Sequence, residues 1–205
     1  MIINRVLDDV LSTYSSIAVL RVLLHSGKGL TGREISRNAL ITPKSALIAL
    51  SKLTDLKIVN RIIGGRDHHF SLNRKHYLVI NGILPLLESE NHYMDVIVKL
   101  IKKYLSNKCV SIILFGSVVR KEEKIGSDLD ICAVVQSAVQ LKEIVQIRQE
   151  LFYQLAENFG ITLGLTTVTQ NEFRSKGLKG KPPINDIIKE GLLLYGKPIK
   201  MIIHD

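Results

Sequence analysis

"LFGSVVRKEEKIGSDLDICAVV", residues 114–135, is the stretch on which the reading of this chain turns. The apolar run "VSIILF" before and into it predicts a short buried strand. Gly116 and Ser117 break that strand, and "VVRKEE" is suited to begin a helix. A strand, a tight turn and a helix start together aim free backbone N–H groups at an anion. "DLDICAVV" predicts a second strand. Side chains alternate along a strand, so Asp128 and Asp130 share one face and Leu129 and Ile131 the other. Two carboxylates on one face repel unless a cation sits between them. Oxygen-only ligands on a rigid strand suit Mg²⁺, which also accompanies triphosphates. Carboxylates that bridge metal ions are what in-line phosphoryl displacement requires.

With Gly-Ser and D-x-D between apolar residues at this spacing, the second half of the chain resembles the minimal nucleotidyltransferases of the DNA polymerase β-like superfamily. "LFGS", Arg120 and "SDLDICAVV" carry the resemblance, and "INDIIKEGLLLYGKPI" is similar to the family's closing helix and tail. The resemblance implies a mixed sheet with packed helices. It implies that Gly116, Ser117 and Arg120 hold the nucleotide, and that Asp128 and Asp130 are catalytic and hold Mg²⁺. The cofactors implied are Mg²⁺ and a nucleoside triphosphate, ATP being the one expected. The reaction implied is transfer of a nucleoside monophosphate to a hydroxyl, with pyrophosphate released. Two departures stand out. Lys121 occupies a place where the family commonly has Gly. The strand expected to carry a third carboxylate, "ITLGLTTVT" (161–169), has no Asp or Glu, and Thr162 or Gly164 stands where the acid is expected. Glu157 precedes that strand and Glu172 follows it.

The first part of the chain has a different character. "SSIAVLRVLLHSGKG" predicts a helix. Thr31 and Glu34 form a capping-box pattern that starts a second. Thr42 and Pro43 start a third, whose inner face is Ala46, Leu50 and Leu53. "VNRIIGGRDHHFSL" then predicts a hairpin turning at residues 64–67. Three helices followed by a basic hairpin resemble the winged helix-turn-helix repressors of the MarR and ArsR type. Lys57 in "LKIV" stands where that family often has Gly. The resemblance implies double-stranded DNA as partner, with Lys44, Ser45 and Lys52 facing the groove and Arg66 at the wing tip. Two-fold DNA recognition makes a homodimer the expected assembly.

Charge agrees with this. The chain of 205 residues carries a net charge of +9. From Lys28 to Lys75 ten basic residues stand against three acidic ones, which is most of the surplus. No segment reaches the roughly 18 uninterrupted apolar residues of a membrane span. The start, "MIINRVLDDV", lacks the apolar core of a signal peptide, so a cytoplasmic protein without a membrane partner is expected. Cys109 and Cys132 have no metal or disulfide spacing and read as reduced thiols.

The expected fold class is therefore α+β. Residues 1–80 form a winged helix-turn-helix, 81–108 a helical connector, and 109–205 a nucleotidyltransferase-like domain. The expected function is a DNA-binding regulator fused to a Mg-dependent nucleotidyltransferase, with a protein as one possible acceptor. The alternative is a transcription factor whose second domain is catalytically silent and senses nucleotide, because the third acid is absent.

Overall fold

The computed structural model describes residues 3–64 and 67–204. Its contacts divide into two units, Met1–His92 and Tyr93–Asp205.

In the first unit, α1 (Val6–Val10) and α2 (Tyr14–Leu24) are followed by a two-residue strand β1 (Leu30–Thr31). Next come α3 (Gly32–Asn38), α4 (Pro43–Asp55) and the hairpin β2 (Val59–Gly64) and β3 (Asp67–Leu72). The sheet order is β1-β3-β2, all antiparallel. The helix starts follow from local chemistry. Thr13 accepts from Ser16 N, Thr42 accepts from Ser45 N with Pro43 opening α4, and Thr31 and Glu34 close a reciprocal capping box. Arg74 donates to Leu24 O at 2.7 Å, satisfying a carbonyl at the end of α2. Leu20, Leu23, Ile35, Leu50, Leu53, Ile58 and Phe70 make the core.

A π-helical turn, Val79–Ile83, leads directly into α5 (Leu84–Leu105), within which the division between the units falls. Pro85 and the polar "ESEN" read as an interruption in the sequence. They are helical here, because Pro is tolerated in a first turn and residues 88–91 are simply exposed. Leu87 is buried in the first core, and Ile97, Ile101 and Leu105 in the second.

The second unit continues with β4 (Ser111–Phe115), α6 (Ser117–Arg120), β5 (Leu129–Val135), α7 (Ala138–Phe159) and β6 (Leu163–Thr169). It ends with α8 (Gln170–Leu178), α9 (Ile184–Glu190), β7 (Leu192–Gly196) and α10 (Ile199–His204). The four-stranded sheet has the order β6-β5-β4-β7. Only β5 and β6 are parallel, joined through α7, so the sheet is mixed. Both faces are covered. Leu129, Ile131, Ala133 and Val135 pack with residues of α5 and α7. Cys132 and Val134 pack with Phe173, Ile184, Ile187 and Ile202. Burial pushes the thiols of Cys109 and Cys132 up to about 12.

Three elements depart from the sequence reading. The basic stretch from residue 174, for which no helix is expected above, is helical up to Leu178, because Thr169 and Glu172 form a capping box that opens α8. The tail contains a strand, β7, that pairs with β4. Residues 30–31 form β1, which adds a third strand to the hairpin.

Candidate functional site

The chain reverses from β4 into α6 at Gly116, whose φ of 78° and ψ of −154° lie where only glycine sits without strain. Ser117 is the first residue of α6. The antiparallel register sets Phe115 opposite Asp130, which brings the turn beside the acid. Asp130 continues the row of Cys132 and Val134 on its face of β5. Asp128 is exposed just before the strand, and Asp130 is partly buried. Burial, and next the charge of Asp128, raise the Asp130 carboxyl above the usual carboxylate range, with Arg120 opposing the rise. Gly116, Ser117, Asp128 and Asp130 thus come together at one end of β5.

Arg120 lies on α6 but its guanidinium is engaged. It donates to Glu122 at 2.9 Å and also pairs with Glu190 at the end of α9. Nothing local in the sequence points to Glu190, which is 70 residues away.

On the other side of β5 the parallel register places Gly164 beside Asp130. Leu129 N donates to Thr162 O at 2.8 Å, so both positions named for a third acid run alongside the acid pair, with Gly164 directly beside Asp130. A Cβ at Gly164 would fall 2.5 Å from Asp130 Oδ1, and one at Gly116 would fall 2.3 Å from Asp130 Oδ2. Glu172 is committed to its capping box, accepting from Thr169 N and Oγ1. Among the described residues no cluster of three His, Cys, Asp or Glu could hold a metal ion. The two carboxylates remain a hard, oxygen-only pair whose mutual repulsion a divalent cation would relieve, and they fit Mg²⁺ on that ground. Beside them lies a cavity of about 340 Å³ that the sequence did not reveal, lined by Met94, Ile97, Val118, Ile161 and Asp128 among others.

In the first unit, Lys44 is exposed on α4 and Ser45 is half-buried at its start, its N–H donating to Thr42. Lys52 is held by Asp9 at 2.9 Å and donates to Ser12 at 3.2 Å. Arg66 lies outside the described residues. The outward face of α4 is Lys44, Leu47, Ile48, Ser51 and Asp55, all exposed. Two cavities of about 260 and 310 Å³ between α4 and the hairpin share Leu47, His68 and Phe70. Arg33 lines the first and Arg61 the second, neither of which the sequence reading singled out.

Residues 97–198 match the family model described as Polymerase beta, Nucleotidyltransferase. A solved structure described as a toxin-antitoxin with AMP-PNP is similar over 52% of this chain and 81% of its own, at 21% identity and a TM-score of 0.35. A mutant of the toxin-antitoxin MntA-HpeT is similar over 54% of this chain and 80% of its own, at 16% identity and a TM-score of 0.35. No curated protein matches. No helix among the described residues is long and apolar enough to cross a membrane.

Proposed function

We propose that residues 97–198, a nucleotidyltransferase domain of the polymerase β type, bind a Mg-nucleoside triphosphate, ATP being the expected one, and that the first unit binds double-stranded DNA. The observation that carries the nucleotide reading is the meeting of the Gly116–Ser117 turn with Asp128 and Asp130 at one end of β5. In this reading the backbone N–H groups at the start of α6 face the phosphates. Asp128 and Asp130 would hold Mg²⁺, which when bound neutralises phosphate charge and polarises the phosphorus centre. Arg120, compensated by Glu122 and Glu190, tempers the negative field at Asp130.

The domain holds nucleotide better than it transfers it. A third carboxylate would position or deprotonate an attacking hydroxyl, and Gly164 stands beside Asp130 instead. Nucleotide occupancy then acts as a signal to the DNA-binding unit, a coupling that needs different affinities in its two states. Transfer of a nucleoside monophosphate to a hydroxyl, on a protein acceptor for example, is the second reading, favoured by the family match.

For DNA, the order of α2, α3, α4 and the hairpin together with the basic surplus supports a winged helix-turn-helix. Lys44, Arg33 and Arg61 are exposed cations on α4, α3 and the hairpin, and a homodimer reading paired half-sites is the expected form. Lys52, already neutralised by Asp9, contributes less than Lys44.

Calorimetry with a non-hydrolysable ATP analogue and Mg²⁺ tests the nucleotide site. Asp128→Asn with Asp130→Asn should abolish the metal-dependent part of binding, and unchanged binding refutes the assignment. Labelled ATP incubated with Mg²⁺ and cell lysate separates the two readings, since only transfer labels a macromolecule. A salt titration of duplex binding tests the first unit. Lys44→Ala should flatten the log–log slope by about 0.9 if it contacts one phosphate, and a slope already near zero in the unsubstituted protein would exclude DNA.

A further inference from the structure

Gly164 invites reading as a vacancy, the place of a lost acid. Its surroundings are inconsistent with a vacancy. A Cβ there would lie 2.5 Å from Asp130 Oδ1 and 3.6 Å from Asp130 Cγ. Across the carboxylate, a Cβ at Gly116 would lie 2.3 Å from Oδ2 and 3.1 Å from Cγ. Each oxygen of Asp130 is thus set against one glycine. The glycines differ in kind. Gly116 has a φ of 78°, so its backbone alone calls for glycine. Gly164 is an ordinary strand residue without a positive φ, and its strand neighbours on the same face, Thr166 and Val168, carry side chains. Of the atoms nearest to a Cβ at 164, Asp130 Oδ1 is the one inside van der Waals contact, with Asp128 Cβ at an ordinary 3.7 Å.

We infer that Gly164 is a positioning residue: with Gly116 it forms a seat for the Asp130 carboxylate, and any side chain at 164 displaces the group that faces the cation. A carboxylate at 164 and Asp130 in its seat are therefore mutually exclusive on this backbone. Adding an acid by Gly164→Asp does not produce a three-carboxylate site. It dismantles the two-carboxylate one. This rests on the reading that Asp130 helps to hold a divalent cation, and the test separates the two.

Mn²⁺ binding to the full chain, followed by its electron paramagnetic resonance signal, is the first readout, for the unsubstituted protein, Asp130→Asn, Gly164→Ala and Gly164→Asp. Expected is loss of bound Mn²⁺ in Asp130→Asn. Gly164→Ala and Gly164→Asp should each lose tenfold or more in Mn²⁺ affinity, with metal-free nucleotide affinity unchanged. Labelled ATP should give no transfer with Gly164→Asp. Unaltered Mn²⁺ affinity in Gly164→Ala, or transfer gained in Gly164→Asp, overturns the seat. If the unsubstituted protein holds no Mn²⁺, or Asp130→Asn holds as much, the cation reading fails and the seat is judged by stability alone. That second readout is a double-mutant cycle on melting temperature. Gly164→Ala should lower the melting temperature in the presence of Asp130 and leave it unchanged in an Asp130→Ala background. Equal lowering in both backgrounds overturns the inference.

Discussion

Asp130 shows how far a single side chain can be read before its neighbours are known. The D-x-D spacing places it on the face of Asp128, and the structure keeps both at one end of β5. What the spacing leaves out is everything contributed from across the sheet: Gly164 from β6, and Glu190, which engages Arg120 from the end of α9. Gly164 is named from the sequence with Thr162 as a place for a third acid, but its position beside Asp130 depends on register, and the Glu190 contact, 70 residues apart, leaves no local pattern. The cysteines are simpler. Burial dominates both thiols and pushes them up to about 12, so at pH 8 roughly one in ten thousand is a thiolate. An aromatic disulfide reagent at pH 8 should find no rapidly reacting thiol in the native protein and two after denaturation.

At the scale of elements, helix starts were the most legible features, because a cap is written within four residues. Thr31 with Glu34 and Thr42 with Pro43 were readable in this way, and Thr169 with Glu172 carries the same signal at the start of α8. Helix ends were less legible, because the chain uses lysine and leucine where glycine would announce a stop. After α4, Lys57 N donates to Thr54 O and Ile58 N to Leu53 O, a Schellman ending with Lys57 at φ 61°. Leu40 ends α3 in the same way at φ 53°. Lys57→Gly should therefore raise the unfolding free energy by up to about 1 kcal/mol in a urea titration. Lys121, which stands where the nucleotidyltransferases commonly have Gly, also has a positive φ of 57°. The capping boxes give a pH signature. Hydrogen bonds from Thr31, backbone first, hold the Glu34 carboxyl below its usual range, and Thr169 does the same for Glu172. A carboxyl lowered on folding contributes stability that is complete above the unfolded value, about 4.3, and is lost as pH falls through the folded value. Glu34→Gln retains an acceptor at that position, so its stability should fall less than the unsubstituted protein's between pH 5 and about pH 3. Parallel thermal melts check this.

For the whole molecule, the resemblance to the nucleotidyltransferases implied a mixed sheet with packed helices in the second half, and the sheet β6-β5-β4-β7 has that mixed character. It missed β7, whose pairing with β4 is a long-range event, and β1, two residues long and visible only through its partner β3. The outward face of α4 could be read only in part, since exposure depends on what α1 and the hairpin cover. Exposed at its centre are Leu47 and Ile48, 56% and 62% accessible, with Lys44 as the lone cation and Asp55 as an acid. If this face enters a major groove, its donors and acceptors are those of Lys44, Ser51 and Asp55, set beside the apolar Leu47 and Ile48. Branched aliphatic chains can recognise one groove feature well, the methyl group that distinguishes thymine. Duplexes in which uracil replaces thymine should then bind more weakly by about 1 kcal/mol or more at each contacted base pair, at the same salt concentration and with the same backbone charge.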